Sequence, residues 1–354
     1  MKILAINPGA TSTKIGYFND TDEIFVDVIR HNHEEVHHFD TPIDQINFRN
    51  NLIEKFLKTK NISYNDIDAV VGRGGLFHSL ESGTYEVNER MIKDIYDGNL
   101  QDEHISNIGA ILAKNIADKA NVKSYITDPV CVDEFEDIAR ITGLPELTRK
   151  SLLHALNIKY IGRKAAKDIN KKYEETNFII AHMGTGISVA AQKKGRIVDS
   201  NSPNDEGPFC PQRVGTLPIS QLIKLCYSGK YTKREMIIKA IKKGGLYAHL
   251  QTDNVKEIAE MAKSDKHAKL ILDAMCYQIS RYIGAQAAVL HGKIDAIVLT
   301  GGIAYNEYCV EKIKGMIEFL GKPILVYPGE DELLAMAESV YNVESGIYDV
   351  KVYE

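Results

Sequence analysis

Residues 2–18, KILAINPGATSTKIGYF, are the strongest indication of the fold in this sequence. Two apolar runs flank a short turn, which predicts hairpin strands at 2–7 and 14–18. In the turn, the proline keeps the residue before it extended, and the glycine after it can adopt a positive φ. Such a turn aims backbone N–H groups and short polar side chains at one point, as a phosphate group requires.

A second stretch, FIIAHMGTGISVAAQ at 178–192, repeats this arrangement far along the chain. It again consists of an apolar run, a turn of glycine with small residues, and a second strand-like run. A chain that folds two such turns around a cleft can hold a polyphosphate between two lobes. The sequence has no Walker A motif, and Gly184-x-Gly186 lacks the third glycine and the acidic partner of a dinucleotide fold. Those two nucleotide folds are therefore disfavoured.

Length and composition indicate a globular protein of two domains. The chain has 354 residues, too many for one ordinary hydrophobic core. Its apolar fraction of 44% and charged fraction of 26% are typical of soluble globular proteins. Apolar runs predict strands at 67–71, 122–126 and 294–299, and helical spacing predicts helices at 106–119 and 151–171. This alternation of strands and helices predicts an α/β fold.

Charge and cysteine content limit the possible partners and the expected cellular compartment. The net charge is −5 with scattered Lys and Arg, which predicts no binding of nucleic acid. The five cysteines are an odd number without C-x-x-C spacing, as expected for reduced thiols in the cytosol. The first apolar run is too short for a signal peptide, and no stretch approaches the roughly 20 apolar residues that span a bilayer. We therefore predict a cytoplasmic protein with no membrane partner.

Several motifs together resemble the acetate and butyrate kinase (acetokinase) family, within the superfamily of sugar kinases, chaperone ATPases and actin. The resemblance covers nearly the whole chain, and its motifs occur in the family's order. They are KILAINPGATSTK at 2–14, VVGRGGLFHS at 70–79, the stretch 100–109 around His104, Asp128, RKSLLHALN at 149–157, AHMGTG at 181–186, Arg213 in PQRVGT, TGGI at 300–303 and PGEDEL at 328–333.

Departures from the acetate kinase pattern resemble the butyrate kinase branch of this family. Thr185 stands where acetate kinases carry Asn, and the segment after Arg73 lacks their His-Gly-Gly. His154 stands in LLHALN and not in a Phe-His-Gly motif. These departures put acetate specificity in doubt more than they affect the reaction class.

The resemblance implies an α/β fold with two actin-like (ASKHA, ribonuclease H-like) domains around a nucleotide cleft. Residues 1–150 with 332–354 would form an N-terminal lobe, carrying the first phosphate-binding turn and the acyl-substrate side. Residues 151–331 would form a C-terminal lobe with the second phosphate loop and the adenosine site. The family also implies a homodimer or a larger homo-oligomer.

The resemblance further implies reversible phosphoryl transfer between ATP and a short-chain carboxylate such as butyrate, giving ADP and an acyl phosphate, with Mg²⁺ as cofactor. A carboxylate is already ionised at pH 7 and needs no general base. The site should therefore supply neutralising charge and positioning, because phosphoryl transfer depends mostly on these. Direct in-line transfer is the simplest mechanism that these residues suggest.

Five residues are predicted to carry the chemistry: Arg73, His154, Arg213, Asp128 and His104. A guanidinium fits carboxylate or phosphoryl oxygens bidentately, which suits the two arginines. The matched family position makes His154 a donor to the transferring phosphoryl group and His104 a supporting donor. The ordinary alternatives are surface arginines in tight turns and structural histidines.

The nucleotide and metal sites are predicted from the glycine-bearing segments and from nearby carboxylates. The residues expected to hold nucleotide are Asn7, Thr11, Ser12, Lys14, Gly184, Thr185, Gly186, Gly301, Gly302 and Ile303. The residues expected near the metal are Asp128, Glu332, Asp331 and Asn7. An ordinary hairpin with a solvated lysine, and acidic residues that simply suit a helix N-terminus, are the alternatives.

Three other functions stay open at this point. The acid could be acetate, propionate or a branched-chain carboxylate, since one methylene in an apolar pocket is worth only about 1–3 kcal/mol. Leu76, Phe77, Leu152 and Leu153 are candidates for lining that pocket, or for the core. A sugar kinase would need a carboxylate base, and a chaperone-like ATP-dependent binding module would need a separate peptide-binding domain.

Overall fold

The computed structural model describes residues 1–354, apart from the side chains of His33 and His37. Its strands are β1 (Lys2–Pro8), β2 (Ser12–Asn19), β3 (Asp22–Arg30), β4 (Ala69–Arg73), β5 (Thr84–Glu86), β6 (Lys123–Thr127), β7 (Asn177–Met183), β8 (Ile187–Lys193), β9 (Arg196–Ser200), β10 (Ala296–Gly301) and β11 (Ile324–Pro328).

The α-helices are α1 (His33–His37), α2 (Ile46–Thr59), α3 (Glu89–Tyr96), α4 (Gly109–Ala120), α5 (Asp137–Arg140), α6 (Ala155–Asp168), α7 (Ile219–Cys226), α8 (Lys233–Ile241), α9 (Gly245–Leu250), α10 (Val255–Met261), α11 (Lys266–Val289), α12 (Glu307–Ile317) and α13 (Glu332–Glu344). Short 3₁₀ helices lie at Ile43–Gln45, Tyr64–Asp66, Ile105–Ile108, Tyr173–Glu175, Gly302–Tyr305 and Glu318–Leu320.

The chain divides into two compact units. Unit 1 contains Met1–Asp133 and Asp331–Glu354, and unit 2 contains Glu134–Glu330. Each unit has its own mixed sheet and its own apolar core. Strands and helices alternate in both units, which confirms the α/β class expected from the sequence.

The two sheets share one strand arrangement. In unit 1 the order is β3-β2-β1-β4-β6-β5, and in unit 2 it is β11-β10-β7-β8-β9. β1 and β7 each pair antiparallel with the next strand, and that strand pairs antiparallel with the third. On their other side, β1 and β7 pair parallel with β4 and β10. Each glycine-bearing turn therefore joins the first two strands of its own sheet.

Burial explains why the central strands are apolar throughout. Residues 3–6 of β1 and residues 178–181 of β7 are fully buried, as expected for strands covered on both faces. Helix α2 packs with an apolar stripe that includes Ile46, Ile53 and Leu57, and α13 packs against β1.

Three details differ from the sequence-based expectations. β3 was not predicted, because its apolar residues point to both faces and the outer face remains exposed. The helix predicted from residue 106 begins as the 3₁₀ turn at Ile105–Ile108. The helix predicted from residue 151 begins at Ala155, since His154 has a non-helical ψ of 57° and the N–H of Leu152 bonds the carbonyl of Lys150.

Candidate functional site

The first turn, between β1 and β2, presents unpaired backbone donors. The N–H of Gly9 donates to the carbonyl of Ser12 at 2.8 Å and closes the turn. Within the described part of the chain, the N–H groups of Ala10 and Thr11 have no hydrogen-bond partner. Two free N–H groups on an exposed turn can bind an anion such as a phosphate. Lys14 is exposed on β2, so its charge is in solvent near this turn.

A buried arginine supports the first turn from α2. The guanidinium of Arg49 donates to the carbonyls of Gly9 at 2.8 Å, Ala10 at 3.4 Å and Ser12 at 3.0 Å. The side chain of Arg49 is fully buried, and this burial lowers its pKa to about 10. His31 lies beside it, with Nε2 3.2 Å from the guanidinium. The backbone of the turn is therefore held by a cation.

Arg73, Asn7 and Glu332 lie together in unit 1. The Nε of Arg73 is 3.4 Å from Oε1 of Glu332, and the side-chain amide of Asn7 donates to Oε2 of Glu332 at 2.7 Å. Arg73 is 7% exposed and Glu332 is 19% exposed. Arg73 is the last residue of β4, and Glu332 is the first residue of α13. This arrangement brings together three residues that the sequence singled out, from positions up to 325 residues apart.

Close helix–strand packing determines the position of Arg73. A Cβ at Gly72 would lie 2.1 Å from the carbonyl oxygen of Gly109, and a Cβ at Gly109 would lie 2.2 Å from that of Arg73. Glycine at both positions lets the start of α4 touch the end of β4. Arg73 also donates to the backbone carbonyl of Asp128 at 3.4 Å.

Asp128 is more enclosed than a direct metal ligand is expected to be. It is fully buried, and its φ of +37° is in the left-handed region. Its Oδ1 accepts hydrogen bonds from the hydroxyl of Ser82 at 2.6 Å and from the N–H of Gly83 at 2.9 Å. These bonds orient the carboxylate within unit 1.

The two remaining predicted residues of unit 1 lie at its surface. His104 is the N-cap of the 3₁₀ helix Ile105–Ile108, and its Nδ1 is 2.8 Å from the hydroxyl of Ser106. Asp331 is exposed and directly precedes α13, where a negative charge suits the helix dipole.

The second turn, between β7 and β8, is covered by side chains. The N–H of Gly184 donates to the carbonyl of Gly186 at 3.0 Å. A Cβ at Gly186 would lie 2.3 Å from Nη1 of Arg213 and 3.3 Å from Cε1 of His154. A Cβ at Gly184 would lie 2.9 Å from Oε1 of Glu330. Glycine therefore lets these side chains approach the backbone of the turn.

His154 is held by two contacts at the start of α6. Its Nδ1 is 2.9 Å from the hydroxyl of Ser188, and its ring stacks on His182 with centroids 3.9 Å apart. His182 is almost fully buried; Nδ1 lies 2.8 Å from the amide nitrogen of Asn157, and Nε2 lies 3.2 Å from Oε1 of Glu330. The buried histidine therefore supports the ring that lies closer to the turn.

Arg213 is half-buried, and burial lowers the pKa of its guanidinium. No ion pair with a carboxylate holds it within the part of the chain that the structure describes. An arginine in such surroundings can bind an anionic ligand strongly, because charge interactions strengthen as water is excluded.

A cavity of about 580 Å³ opens beside the second turn. This volume lies in the range of small-molecule sites. Gly301, next to the cavity, has a φ of +89° and exchanges two backbone hydrogen bonds with Gly329. The residues that line the cavity are Gly184, Thr185, Pro211, Asp253, Asn254, Val255, Lys256, Gly302, Ile303, Tyr305, Asn306 and Glu330.

The sequence analysis did not identify every residue at these turns. Ser188 and Glu330 contact the two histidines, but each looks ordinary in the sequence, as a strand serine and one of three consecutive acidic residues. Arg49 had a usable signal, because it stands on the apolar stripe of α2, three residues after Ile46 and four before Ile53. Of the proposed acyl-pocket residues, Phe77 is fully buried and packs on Tyr353 in the core of unit 1.

The described residues show neither a preformed cluster of metal ligands nor a membrane-spanning helix. Leaving aside the side chains of His33 and His37, no group of three or more His, Cys, Asp or Glu residues is arranged to hold a metal ion. None of the helices described above combines the length and the apolar character that spanning a bilayer requires.

Comparison with solved structures confirms the predicted fold. An acetate kinase from Porphyromonas gingivalis superimposes with a TM-score of 0.79 at 20% identity, covering 96% of this chain and 98% of that one. A propionate kinase from Francisella tularensis subsp. tularensis SCHU S4 has a TM-score of 0.74 at 18% identity, with the same coverage of 96% and 98%. The sheets of both units thus belong to the two-domain, actin-like α/β fold expected from the sequence.

Comparison with curated sequences identifies the family. The chain is 47% identical over 354 residues to a probable butyrate kinase from Clostridium botulinum (strain Eklund 17B / Type B), covering 99% of both chains. It is 48% identical over 355 residues to butyrate kinase 2 from Clostridium acetobutylicum, covering 100% of this chain and 99% of that one. The family model for the acetokinase family matches residues 145–335. The chain therefore belongs to the acetokinase family.

Proposed function

We propose that this protein is a butyrate kinase, which transfers a phosphoryl group reversibly between ATP and butyrate to give ADP and butyryl phosphate. The observation that carries the proposal is the identity of 47–48% with butyrate kinases over essentially the whole chain. The arginines, histidine and glycine turns described above supply the groups that this chemistry needs.

Unit 1 is proposed to hold phosphate and carboxylate groups. The free N–H groups of Ala10 and Thr11 would donate to phosphate oxygens, with Ser12 and Lys14 nearby. The guanidinium of Arg73 would grip the carboxylate of the acid, since its planar fork matches two oxygens.

Unit 2 is proposed to hold the nucleotide and to stabilise the transferring group. The cavity beside Gly302 and Ile303 has the size expected of an adenosine site, and Gly184, Thr185 and Gly186 would bind phosphates through backbone N–H groups. Arg213 and His154 would neutralise the charge on the equatorial phosphoryl oxygens, as phosphoryl transfer requires.

The residues fit the loose way in which proteins hold Mg²⁺ with a nucleotide. Mg²⁺ keeps several waters and uses one or two carboxylates together with substrate phosphates. Glu332 is partly exposed, and the side chain of Asn7 orients its carboxylate. Asp128 is buried and would act on the ion through water. Asp331 is the alternative to Glu332 as the second carboxylate. When bound, the ion would neutralise charge on the phosphates.

The acid carboxylate is the proposed nucleophile, and it attacks the γ-phosphorus in line with the leaving ADP oxygen. One P–O bond forms to the carboxylate as the P–O bond to ADP breaks, and no proton need move because the carboxylate is ionised. His104 is proposed as a supporting donor. Self-association into homodimers or larger oligomers, and a cytoplasmic location, stay predictions.

The test is a hydroxamate assay across straight C2 to C6 acids and branched C4–C5 acids, run with a coupled assay in the direction of ATP synthesis. We expect the highest kcat/KM with butyrate or a neighbouring C4–C5 acid. Best activity with acetate or propionate would instead support the acetate/propionate alternative. Activity on sugars alone would contradict the proposal, as would ATP-dependent peptide binding without phosphorylation of any acid.

A further inference from the structure

Among the described side chains of its own unit, none is a counter-ion for the buried charge of Arg49. Its guanidinium donates to neutral acceptors, namely backbone carbonyls of the first turn, the hydroxyl of Thr13 and the amide oxygen of Gln45. No described carboxylate forms an ion pair with it, and burial is the cause of its lowered pKa. Burying an unpaired cation costs several kcal/mol in general, so an unpaired buried arginine points to a missing anion.

The contacts of Arg49 also determine how the turn presents its N–H groups. Its Nη2 binds the carbonyls of Gly9 and Ala10, at 2.8 Å and 3.4 Å. In a trans peptide the C=O and the following N–H point in opposite directions, and no peptide bond of the described backbone is cis. The N–H groups of Ala10 and Thr11 therefore point away from Arg49, and they are the two that lack partners.

A phosphate on the outer side of this turn would meet two N–H donors backed by a buried positive charge. In surroundings of low dielectric constant, such a charge acts over several ångströms more strongly than it would in water. Binding of an anion would at the same time offset the cost of burying the guanidinium. One arginine can thus shape the turn and contribute to the affinity for phosphate.

We propose that Arg49 is a positioning residue for nucleotide phosphates: it holds the first turn in its anion-binding conformation, and the bound phosphate supplies its counter-charge. The proposal rests on the proposed function for the identity of the nucleotide. Arg49 itself does not touch the reacting atoms; it acts through the peptide groups of Gly9 and Ala10.

The experiment compares ADP binding by wild type, Arg49→Met and Arg49→Lys using calorimetry. Arg49→Met removes the charge at similar side-chain length, and Arg49→Lys keeps the charge but loses the fork that binds several carbonyls. We expect the Kd for ADP to rise about 10- to 100-fold in Arg49→Met, as for loss of charge-assisted hydrogen bonds, and less in Arg49→Lys. The KM for ATP should rise in step, while the KM for butyrate stays near wild type.

The matched control is Ile53→Ala, which destabilises the same helix by removing a fully buried side chain. Its melting temperature should fall, yet its Kd for ADP should remain that of wild type. Equal loss of ADP affinity in Ile53→Ala and Arg49→Met would reduce Arg49 to a merely structural residue and overturn the proposal. A folded Arg49→Met with wild-type ADP affinity would also overturn it.

If Arg49→Met does not fold, Arg49→Lys and a measurement on wild type decide. In the wild-type protein, pyrophosphate should slow hydrogen exchange at the amides of Ala10 and Thr11. Unchanged exchange at these amides would contradict the proposal. An ADP affinity equal to that of wild type in Arg49→Lys would also contradict it. Failure of the proposed function can be distinguished from failure of this inference. If the wild type binds ADP with an affinity that depends on Arg49 but phosphorylates no short-chain acid, the function is rejected and this inference stands.

Discussion

The two glycine-bearing turns occupy the same place in sheets of the same arrangement, yet they are supported from different sides. The first turn is held on its carbonyl side by Arg49 from a helix, and the N–H groups of Ala10 and Thr11 remain free. The second turn is covered by Arg213 and His154, whose nearest atoms lie 2.3 Å and 3.3 Å from the position that a Cβ of Gly186 would take. The first turn thus has a cation bound to its carbonyl groups, and the second has a cation close to the Cα of Gly186.

This difference shows that a shared hairpin does not by itself determine the electrostatics of a phosphate site. Both turns can offer N–H groups, because that follows from the backbone. The placement of each charge depends on which neighbouring element packs on the turn. The first turn should therefore act mainly in binding, and the second mainly in stabilising the transferring group. Four measurements test this contrast and the environment of each turn.

The largest effect is expected from replacing Arg73 and Arg213, the two arginines that are proposed to contact substrate. Arg213→Ala and Arg73→Ala should each lower kcat by about 10²–10³-fold, as does the loss of one preorganised donor to a developing charge. Arg234→Ala, at an exposed position on α8, is the matched control and should retain wild-type kcat. Near wild-type turnover in either folded variant, measured with saturating ATP and butyrate, would remove that arginine from the proposed site.

The second measurement compares glycines of the two turns. In Gly186→Ala the new Cβ would lie 2.3 Å from Arg213, so the flexible guanidinium must move and kcat should fall about 10- to 100-fold. In Gly9→Ala the nearest atoms are at 3.4 Å, an ordinary contact, and activity should change less than threefold. Similar losses in both variants would show that the two turns have the same steric requirement.

A smaller effect is expected from removing the hydroxyl that orients His154. Ser188→Ala deletes the partner 2.9 Å from Nδ1, and kcat should fall about 3- to 10-fold at unchanged KM for ATP, the range of one hydrogen bond. Ser280→Ala is the control, because that buried hydroxyl bonds the carbonyl of Cys276 in α11. If both serine variants keep wild-type kcat, the orientation of His154 does not depend on Ser188.

The last effect concerns stability and not catalysis, and it acts through the histidine beside the first turn. Burial, followed by the charge of Arg49, lowers the pKa of His31 to about 4, whereas an unfolded histidine titrates near 6.5. Between these values the unfolded chain binds the extra proton. The contribution of neutral His31 to the free energy of unfolding is therefore fully present above pH 6.5, and it is lost as the pH falls towards 4.

The measurement is urea unfolding of wild type and His31→Gln at pH 7 and pH 4.5. Between pH 7 and pH 4.5, the free energy of unfolding should fall by about 2 kcal/mol more in the wild type than in the variant. An identical pH dependence in both proteins would mean that the pKa of His31 in the folded state equals that of an unfolded histidine, so that neither burial nor the charge of Arg49 lowers it.

Much of the fold was predictable because it depends on local patterns. Apolar runs followed by glycine turns predict both hairpins, and the strands at β4, β6 and β10 follow from buried apolar runs. β3 was missed because both its faces carry apolar residues and the alternation that marks a half-buried strand is absent. The start of α6 was missed because helical propensity near residue 151 is overridden by the irregular backbone at His154.

The candidate site was predictable in residue type and less so in arrangement. The resemblance to the acetokinase family pointed to Arg73, Glu332, His154 and Arg213, and their roles stay predictions. The structure adds that Asn7 and Arg73 share Glu332, and that His154 rests on His182. Arg49 was overlooked because a helical arginine is usually solvated, although its place on the apolar stripe of α2 was a usable signal of its burial.

The amino-acid sequence is sufficient to predict two hairpins with glycine turns, an alternation of strands and helices in both halves, and the family. Each of these depends on residues close together in the chain or on motifs in order. Which charge supports which turn is visible only in the folded protein. Arg49 reaches Gly9 across 40 residues, and Glu332 reaches Asn7 across 325. Such contacts depend on how α2 and α13 pack on the sheet of unit 1, and a local pattern contains no information on that packing.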